Sequence, residues 1–473
     1  MEKEKLPKGL LGIAWILVLG ALPPMLDSTI VNIAVNDLEK VFSASFVVTQ
    51  WVVTGYILAL GMAVPFSGWL MQKYDGKKVY MYALGLFLIS SLLSGFAWNI
   101  ESLIAFRVLQ GIASGIIIPT LTTLVAQAAG GENIGRLMSV VGIPVVFGPI
   151  AGPVIGGLIL QHSEWPWLFF VNLPVGAVAL IIAQWKLPKF EPVNRSAKLD
   201  WAGIFLLALL SGMFIYGITE IRAESKHAAT GILALGIAAL SLISYLFYAW
   251  KQKSKALIPL DLFQSKNFSA VFFSLFLAGF ATNGPMLLFP MFFQNVLGLD
   301  VITSALWLVP QGLGMLVARP LIGNLTDKIG ARYVVLPSIA ITIIGTFPFI
   351  FFDVATAQWI IWIVLFIRGI GVGGITVPVM SDAYVGLERS QMPAASVATR
   401  IIQNVGAASG SAVLATVVSH FLHQGGAVAA HLAGAYHAGF VTSLIFMVIS
   451  ILPALFLTNK LKSRMTGPQV QNQ

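Results

Sequence analysis

Long runs of apolar residues recur along the whole chain, and short polar segments separate them. About 20 apolar residues are enough for a helix to cross the ~30 Å hydrocarbon core of a bilayer. The pattern predicts fourteen such helices and therefore an all-α polytopic membrane protein. The predicted spans are 10–35, 47–70, 78–98, 101–126, 136–160, 166–187, 200–220, 229–250, 268–293, 302–325, 333–352, 358–381, 393–419 and 438–458.

The composition excludes several classes of protein. Of the 473 residues, 57% are hydrophobic and only 10% are charged, which is too apolar for a soluble protein of this size. The chain has no cysteine, so it has neither a disulfide nor a thiolate metal site. It also lacks the Gly-rich phosphate-binding motif of ATP-driven proteins. We expect no enzyme domain, no cofactor and no metal site.

The basic residues predict the orientation of these helices, because cytoplasmic loops of membrane proteins are enriched in Lys and Arg. With the N-terminus in the cytoplasm, 21 of the 28 basic residues fall in cytoplasmic segments and three in outer loops. Both termini are then cytoplasmic, in a multi-pass protein of the cytoplasmic membrane. The net charge of +9 is spread over these short loops, which argues against nucleic-acid binding. The N-terminal run has no small-residue cleavage site, so we interpret it as the first span.

Two halves of the chain repeat one another. GWLMQKYDGKKVY at 68–80 corresponds to GNLTDKIGARYVV at 323–335. Likewise, AFRVLQGIASGIIIP at 105–119 corresponds to FIRGIGVGGITVP at 366–378. When the seventh and eighth spans are removed, these motifs fall at matching places in two sets of six spans. Internal repeats of this kind are typical of alternating-access transporters.

The repeat predicts how the chain divides into domains. Basic linkers flank the seventh and eighth spans, which have no counterpart in the repeat. We predict an N-terminal six-helix bundle at 1–188, linkers with two additional transmembrane helices at 189–266, and a C-terminal six-helix bundle at 267–473.

The fifth span combines glycine and proline in a way that suits only a membrane helix. Its sequence GIPVVFGPIAGPVIGGLI would be badly destabilised as a helix in water. In a membrane, neighbouring helices satisfy the backbone groups that proline frees, and glycines four residues apart let another helix approach closely. The motif consists of Gly142, Pro144, Gly148, Pro149, Gly152, Pro153, Gly156 and Gly157.

This glycine–proline span resembles the antiporter motif of the major facilitator superfamily, in its fourteen-span drug:proton antiporters of the EmrB/QacA type. LDSTIVNIA in the first span and RVLQGIASGIIIP in the fourth resemble motifs of the same family. The resemblance extends over nearly the whole chain. It implies two pseudo-symmetric six-helix bundles plus two extra central helices, in a monomer that exchanges small molecules for protons.

Asp27 in the first span is the strongest single candidate for proton exchange. A carboxylate within a membrane is costly, so we expect it to face the bundle interior or a water-filled cavity. Arg107 in the fourth span is its expected partner, because a buried arginine also has to be neutralised or hydrogen-bonded. By the family resemblance, both residues take part in proton coupling. The alternative is a purely structural ion pair or a purely structural arginine.

Two loops resemble the superfamily signature that normally follows the second span. In the first copy, Gln72 replaces the usual Asp, and Asp75 occupies a position where Gly is usual. The resemblance implies a gate between the two halves, with Asp75 as the substitute acid in the first copy. Ordinary charge that sets the topology is the alternative. The residues of the predicted gating loops are Gly68, Lys73, Asp75, Lys77, Gly323, Asp327 and Arg332.

Polar and aromatic residues inside other spans predict a substrate cavity, since such cavities are mostly apolar with a few polar groups. For Arg368, the repeat counterpart of Arg107, three roles stay open: contact with Asp27, binding of an anionic substrate group, or contact with backbone carbonyls. Arg319 and Arg400 are expected towards the cytoplasm, in structural roles. The predicted cavity residues are Asn32, Trp51, Tyr56, Gln110, Phe280, Asn283, Gln311, Arg368 and Gln403.

These features together predict proton-coupled export of amphipathic small molecules or drugs by alternating access, with Asp27 as the proton-exchanging carboxylate. The expected partners are the substrate, protons and the lipid bilayer. Because essentially one acid lies well inside the spans, we favour neutral, monocationic or zwitterionic substrates over dications. The alternatives are a lipid or metabolite transporter of the same fold and, less favoured, a membrane sensor without flux.

Overall fold

The computed structural model describes residues 8–31, 34–44, 46–129, 133–192, 194–196, 199–222, 228–388, 390–425 and 429–459. Within these ranges the secondary structure is entirely helical. Fourteen of the helices are long, and we label them α1 to α14. The N-terminal set comprises α1 (Lys8–Ile30), α2 (Phe46–Lys73), α3 (Gly76–Gly95), α4 (Ile100–Ala129), α5 (Ile134–His162) and α6 (Trp167–Lys186).

Two further helices and a second set of six complete the chain. The pair is α7 (Trp201–Arg222) and α8 (Ala228–Gln252). Short helices at Val35–Phe42 and Val301–Leu306 precede α2 and α10. The C-terminal set comprises α9 (Lys266–Asn295), α10 (Val309–Ile329), α11 (Arg332–Thr346), α12 (Gln358–Asp382), α13 (Met392–Gly425) and α14 (Ala429–Ile449).

The long helices match the predicted spans. Among the described residues, 13 helices are long and apolar enough to cross a membrane, and each coincides with a predicted span. The remaining predicted span, 136–160, corresponds to α5, whose 29 residues are more than enough to cross. The first predicted span, 10–35, was too long, because α1 ends at Ile30 and a separate helix begins at Val35. This separate helix, VNDLEKVF, is charged and amphipathic, which suits a membrane interface better than a membrane core.

Packing between helices follows the repeat. In the N-terminal set α2 packs on α4 and α1 on α5, while in the C-terminal set α10 packs on α12 and α9 on α13. The two sets meet where α5 contacts α10 and where α2 contacts α13. The helices α7 and α8 pack on each other, and α7 lies against α2 and α13 at the side of this seam. The packing supports the proposed division into two bundles and an additional pair.

The glycines of α5 bring its backbone against α1. A Cβ atom on Gly148 would lie 2.7 Å from the carbonyl oxygen of Met25, and one on Gly152 would overlap the Thr29 hydroxyl. The Thr29 hydroxyl donates a hydrogen bond to the Gly148 carbonyl at 2.8 Å. A Cβ atom on Gly156 would lie 2.9 Å from the carbonyl oxygen of Ile30. The glycine spacing therefore produces the close helix contact that the sequence predicted, and it fixes α1 on both sides of Asp27.

Candidate functional site

Asp27 lies inside the N-terminal bundle, where α1, α4 and α6 meet. Its side chain is fully buried, and the guanidinium of Arg107 forms an ion pair with its Oδ2 atom. Gln110 on α4 and Asn172 on α6 each donate an amide N–H to its Oδ1 atom at 3.1 Å. Both carboxylate oxygens thus have strong donors, which is what a buried ionised carboxylate requires.

Arg107 is held on all sides by groups of the same bundle. Its Nε atom donates to the carbonyl oxygen of Val52 at 3.0 Å, and its Nη1 atom donates to Oε1 of Gln110 at 2.8 Å. The guanidinium carbon lies 4.1 Å from the ring centre of Tyr56, which is a cation–π distance. The Tyr56 hydroxyl in turn donates to the carbonyl oxygen of Pro24, 3.0 Å away on α1. The pairing expected from the sequence is present, and it links α1, α2 and α4.

Two residues of this network were missed at the sequence level. Asn172 and Ser91 are both buried, and the Ser91 hydroxyl accepts from the Asn172 and Gln110 amides at 3.1 Å each. The Ser91 hydroxyl donates to the carbonyl oxygen of Phe169 at 2.9 Å. A signal for Asn172 was available, since it is the only amide side chain in WLFFVNLPVGAVALII. Ser91 carried no signal, because Ser90 beside it is equally buried and bonds only within its own helix.

Arg368 occupies the corresponding position in the C-terminal bundle but has different partners. It is fully buried, donates from Nε to the Thr346 hydroxyl at 3.1 Å and from Nη1 to Oε1 of Gln311 at 2.8 Å. Its guanidinium carbon lies 4.8 Å from the ring centre of Phe289, and its Nη2 atom has no hydrogen-bond partner among the described residues. Within the described part of the chain its guanidinium donates neither to Asp27 nor to a backbone carbonyl, so these residues give no support to two of the three roles considered for it.

A central cavity lies between the two bundles. Its volume is about 240 Å³, and residues of α1, α4, α5, α9, α10, α12 and α13 line it. Gln311 and Gln403 line it as predicted. Arg319 and Arg400 line it as well, although the sequence predicted only structural roles for them towards the cytoplasm. The reason for Arg319 is that α10 runs on to Ile329, so this residue lies at mid-helix.

Other residues predicted for the cavity lie elsewhere. Trp51 is exposed and stacks on Tyr216 of α7, with ring centres 6.3 Å apart. Phe280 packs inside the C-terminal bundle on Phe446, with ring centres 3.8 Å apart. Tyr56 and Gln110 belong to the Asp27 network, and Arg368 lies behind Gln311. In each case a better local partner holds the side chain away from the cavity. Asn32 and the side chain of Asn283 are outside the described residues.

The second gating loop joins the two bundles at the end of the helices that carries Lys73, Lys77 and Lys328, here termed the basic end. The Asp327 carboxylate accepts from the backbone N–H groups of Gly135 and Arg136 at 2.8 and 3.0 Å. These groups belong to the first turn of α5, where a negative charge is stabilising. The Arg136 side chain donates back to Asn324, at 2.9 Å from Nε.

Close packing extends this closure. A Cβ atom on Gly323 would lie 2.8 Å from the carbonyl oxygen of Gly135, and one on Gly68 would lie 2.8 Å from Val397. The hydroxyl groups of Thr122 and Ser396, on α4 and α13, are 2.8 Å apart. The basic end of the central cavity is therefore closed by direct contacts between the two bundles.

As far as the chain is described, the charged residues of the first gating loop make no contact across this closure. Asp75 caps its own helix by accepting from the Lys77 backbone N–H at 2.8 Å, and it also accepts from the Phe190 N–H at 3.3 Å. The Lys77 ammonium donates to the carbonyl oxygens of Gln184 and Leu187 at 2.7 and 2.8 Å. Both side chains stay within the N-terminal half, so Asp75 does not substitute for the missing acid of the signature. Lys73 lies over Trp69 of its own helix, and the backbone N–H of Arg332 donates to Thr458.

The two bundles, the closed basic end and the central cavity define a helical membrane transporter. The chain belongs to the major facilitator superfamily, because the family model of that description matches residues 17–411. It is 31% identical over 420 residues to the multidrug resistance protein B homolog of Mycobacterium tuberculosis, covering 88% of this chain and 78% of that protein. It is 26% identical over 444 residues to the lincomycin resistance protein LmrB of Listeria innocua, covering 92% and 93%.

The comparison with solved structures agrees with this fold. The proton:xylose symporter XylE superposes with a TM-score of 0.66 at 15% sequence identity, over 94% of each chain. The relatives are transporters and not enzymes, and they confirm the identification as a member of the drug:proton antiporters.

Proposed function

We propose that this protein exports amphipathic small molecules, drugs among them, in exchange for protons by alternating access, with Asp27 as the carboxylate that takes up and releases the proton. The observation that carries the proposal is the buried ion pair of Asp27 and Arg107 inside a transporter fold. The names of the relatives, which refer to multidrug and lincomycin resistance, support the substrate class.

The network around Asp27 supplies a physical link between protonation and structure. Ionised Asp27 attracts Arg107 and accepts from Gln110 and Asn172, so it ties α1 to α4 and α6. Protonation removes the negative charge and turns one oxygen into a donor, so these contacts weaken. A proton biases the two access states only if it binds them with different affinity, and the loss of this ion pair provides such a difference.

The helix α1 connects Asp27 to the central cavity, because it packs against α5, which lines the cavity. Its residues Met25 and Thr29 lie directly against the backbone of α5. The same helix α5 lines the cavity with Met138, Val141 and Gly142, and its first turn closes the basic end. By the distribution of basic residues we place the basic end in the cytoplasm, so this structure corresponds to a state closed to the cytoplasm.

The test uses purified protein in liposomes that enclose a pH-sensitive dye. A pH gradient is imposed, and amphipathic anions, neutral compounds and cations of one scaffold are added in turn. For the wild type we expect proton movement that depends on a substrate. For Asp27→Asn we expect loss of this signal by at least 100-fold, because the amide carries no exchangeable charge at this position.

The matched control is Glu101→Gln, which removes an exposed carboxylate at the start of α4. It should retain proton movement within twofold of the wild type. Proton-coupled flux that persists in Asp27→Asn would refute the assignment of Asp27. Substrate flux without any proton signal in the wild type would instead favour a uniporter of metabolites or lipids.

A further inference from the structure

The central cavity is positively charged. The side chains of Arg319 on α10 and Arg400 on α13 both line it, and none of the described residues that line it is acidic. Asp27 and Arg107 are not among these residues, because their side chains face the interior of the N-terminal bundle. The arginines that line the cavity are therefore different residues from the charged pair of the proton site.

Arg319 crosses from the C-terminal bundle to the backbone of α5. It is 4% exposed and donates from Nη1 to the carbonyl oxygen of Ser139 at 3.2 Å, while its Nε atom has no partner among the described residues. The guanidinium lies against Gly142, where any Cβ atom would overlap Nη1. The first glycine of the antiporter motif thus makes the room that this arginine occupies.

Arg400 and Arg368 have similarly incomplete environments. Arg400 donates from Nη1 to Oε1 of Gln403 at 3.4 Å, a long contact within its own helix, and its Nε atom is buried without a partner among the described residues. Arg368 does not line the cavity itself, but it donates a hydrogen bond to Gln311, which does. No ion pair joins any of these three arginines to a carboxylate of the described residues.

Burying an arginine without a counter-charge is costly, and an anion that enters the cavity would offset this cost. We propose that the cavity binds the anionic group of an amphipathic organic acid, a carboxylate or sulfonate, between Arg319 and Arg400. The apolar body of the substrate then packs against lining residues such as Met138, Val141, Met286 and Met315. This assignment names the substrate class of the proposed transport function and rests on the cavity being the transport site.

The cavity volume narrows the class further. About 240 Å³ lies just below the range of typical small-molecule sites, ~300–1,000 Å³, so a one- or two-ring acid fits better than a large drug. The methionines around it adapt their shape readily, which suits several apolar bodies with one common charged group. The sequence-based expectation of neutral, monocationic or zwitterionic substrates counted only the acidic residues within the spans. The two arginines in the cavity lead us to propose an anionic group on the substrate instead.

Binding to detergent-purified wild-type protein is the first test, because it needs neither a proton gradient nor flux. The probes are radiolabelled 2-naphthoate, 2-naphthamide and 2-naphthylmethylammonium, which share one apolar body and differ in charge. We expect 2-naphthoate to bind at least tenfold more tightly than the amide, and the ammonium compound to bind most weakly. Equal binding of the three, or a preference for the ammonium compound, would overturn the proposal.

Variants test the two arginines separately. Arg319→Gln and Arg400→Gln should each weaken 2-naphthoate binding about tenfold, since each removes a charge-assisted hydrogen bond, while amide binding stays within threefold. The control Arg195→Gln removes an exposed arginine and should change nothing. Naphthoate binding that is unaffected in both cavity variants would contradict the assignment.

A glycine variant displaces a charge without removing it. Gly142→Ala should weaken 2-naphthoate binding at least fivefold by pushing the Arg319 guanidinium aside. Gly85→Ala on α3, where a Cβ atom meets open space, is the matched control. If 2-naphthoate binds as expected but moves no proton in liposomes, the anion site stands and the antiport function fails. If protons move with cations while 2-naphthoate does not bind, the function stands and the anion site fails.

Discussion

At the scale of single residues, the proton site and the cavity differ in whether their charged side chains have partners. Asp27 and Arg107 neutralise each other, both carboxylate oxygens accept from side chains on other helices, and the Nε atom of Arg107 donates to the Val52 carbonyl on α2. Arg319 and Arg400 keep a buried Nε atom without a partner among the described residues. A complete hydrogen-bond network is suited to a residue that gains and loses a proton. Buried donors without a partner are suited to binding the charged group of a ligand.

Ser91 and Ser90 offer a matched pair for testing the proton network. Ser91 orients the amides of Gln110 and Asn172 towards Asp27, so Ser91→Ala leaves two buried N–H groups with one acceptor fewer. A lost buried hydrogen bond costs about 1 kcal/mol. We expect substrate-dependent proton movement in liposomes to slow about fivefold in Ser91→Ala and to stay within twofold of the wild type in Ser90→Ala. Equal rates in both variants would show that the amides do not act on Asp27 through Ser91.

At the scale of elements, two copies of one loop motif have taken different roles. The acid in the second copy, Asp327, lies across the seam at the first turn of α5, whereas Asp75 in the first copy caps its own helix α3. Asp327 corresponds to Gln72 in the repeat, three residues before Asp75. Asp327 therefore lies in the last turn of α10, whereas Asp75 lies in the turn after α2. Among the described residues, the carboxylate contact across the seam is therefore made by the second copy only, whereas the first copy contributes close packing at Gly68.

This asymmetry gives a prediction about access to the cavity. Asp327→Asn removes the charge at the N-terminus of α5, which is worth about 1 kcal/mol, and so favours opening of the basic end several-fold. The chain has no cysteine, so a single Met380→Cys in the cavity lining is labelled alone. We expect a membrane-impermeant maleimide added at the basic end to label it several-fold faster in Asp327→Asn than in the parent.

Asp75→Asn in the same cysteine background is the matched control for the gate. Its side chain still caps α3 and contacts no residue of the C-terminal half among those described, so labelling should match the parent. If both variants raise labelling equally, the closure depends on the overall charge of the loops and not on the contact of Asp327 with α5.

At the scale of the whole molecule, most of the architecture was predictable from the sequence. Apolar runs of sufficient length predicted the membrane-spanning helices. The duplicated motifs around Arg107 and Arg368 predicted the two sets of six helices. The pairing of Asp27 with Arg107 followed from the cost of burying either alone. These inferences succeed because a membrane restricts the chain to helices and penalises every isolated charge.

The composition of the central cavity was not predictable in the same way. Which side of a helix faces the cavity depends on packing between residues far apart in the chain, such as Arg319 against Gly142. Hydrophobic periodicity does not reveal it, since these helices are apolar on all sides. Trp51 shows the same limit, because its partner Tyr216 lies on α7, outside the repeat.

The two sites together make a prediction about the charge moved in one transport cycle. In the proposed cycle Asp27 carries one proton inward and an anion leaves the cavity in the opposite direction, so both transfers move positive charge inward. Each elementary charge is worth about 2.3 kcal/mol per 100 mV of membrane potential. Export of 2-naphthoate should therefore respond to the potential with about 4.6 kcal/mol per 100 mV, export of 2-naphthamide with about half of that, and export of a monocation not at all.

Proteoliposomes with a potassium diffusion potential set by valinomycin measure this dependence. The potential is set so that the side on which the proton is released is negative. It should accelerate 2-naphthoate exchange more steeply than 2-naphthamide exchange and produce a current of positive charge towards that side. Asp27→Asn should abolish both responses, since no proton then exchanges. Exchange of 2-naphthoate without a current would mean that the anion leaves together with a proton and that no proton enters in return. The proposal of a proton site in the N-terminal bundle and a separate anion site in the cavity would then be wrong.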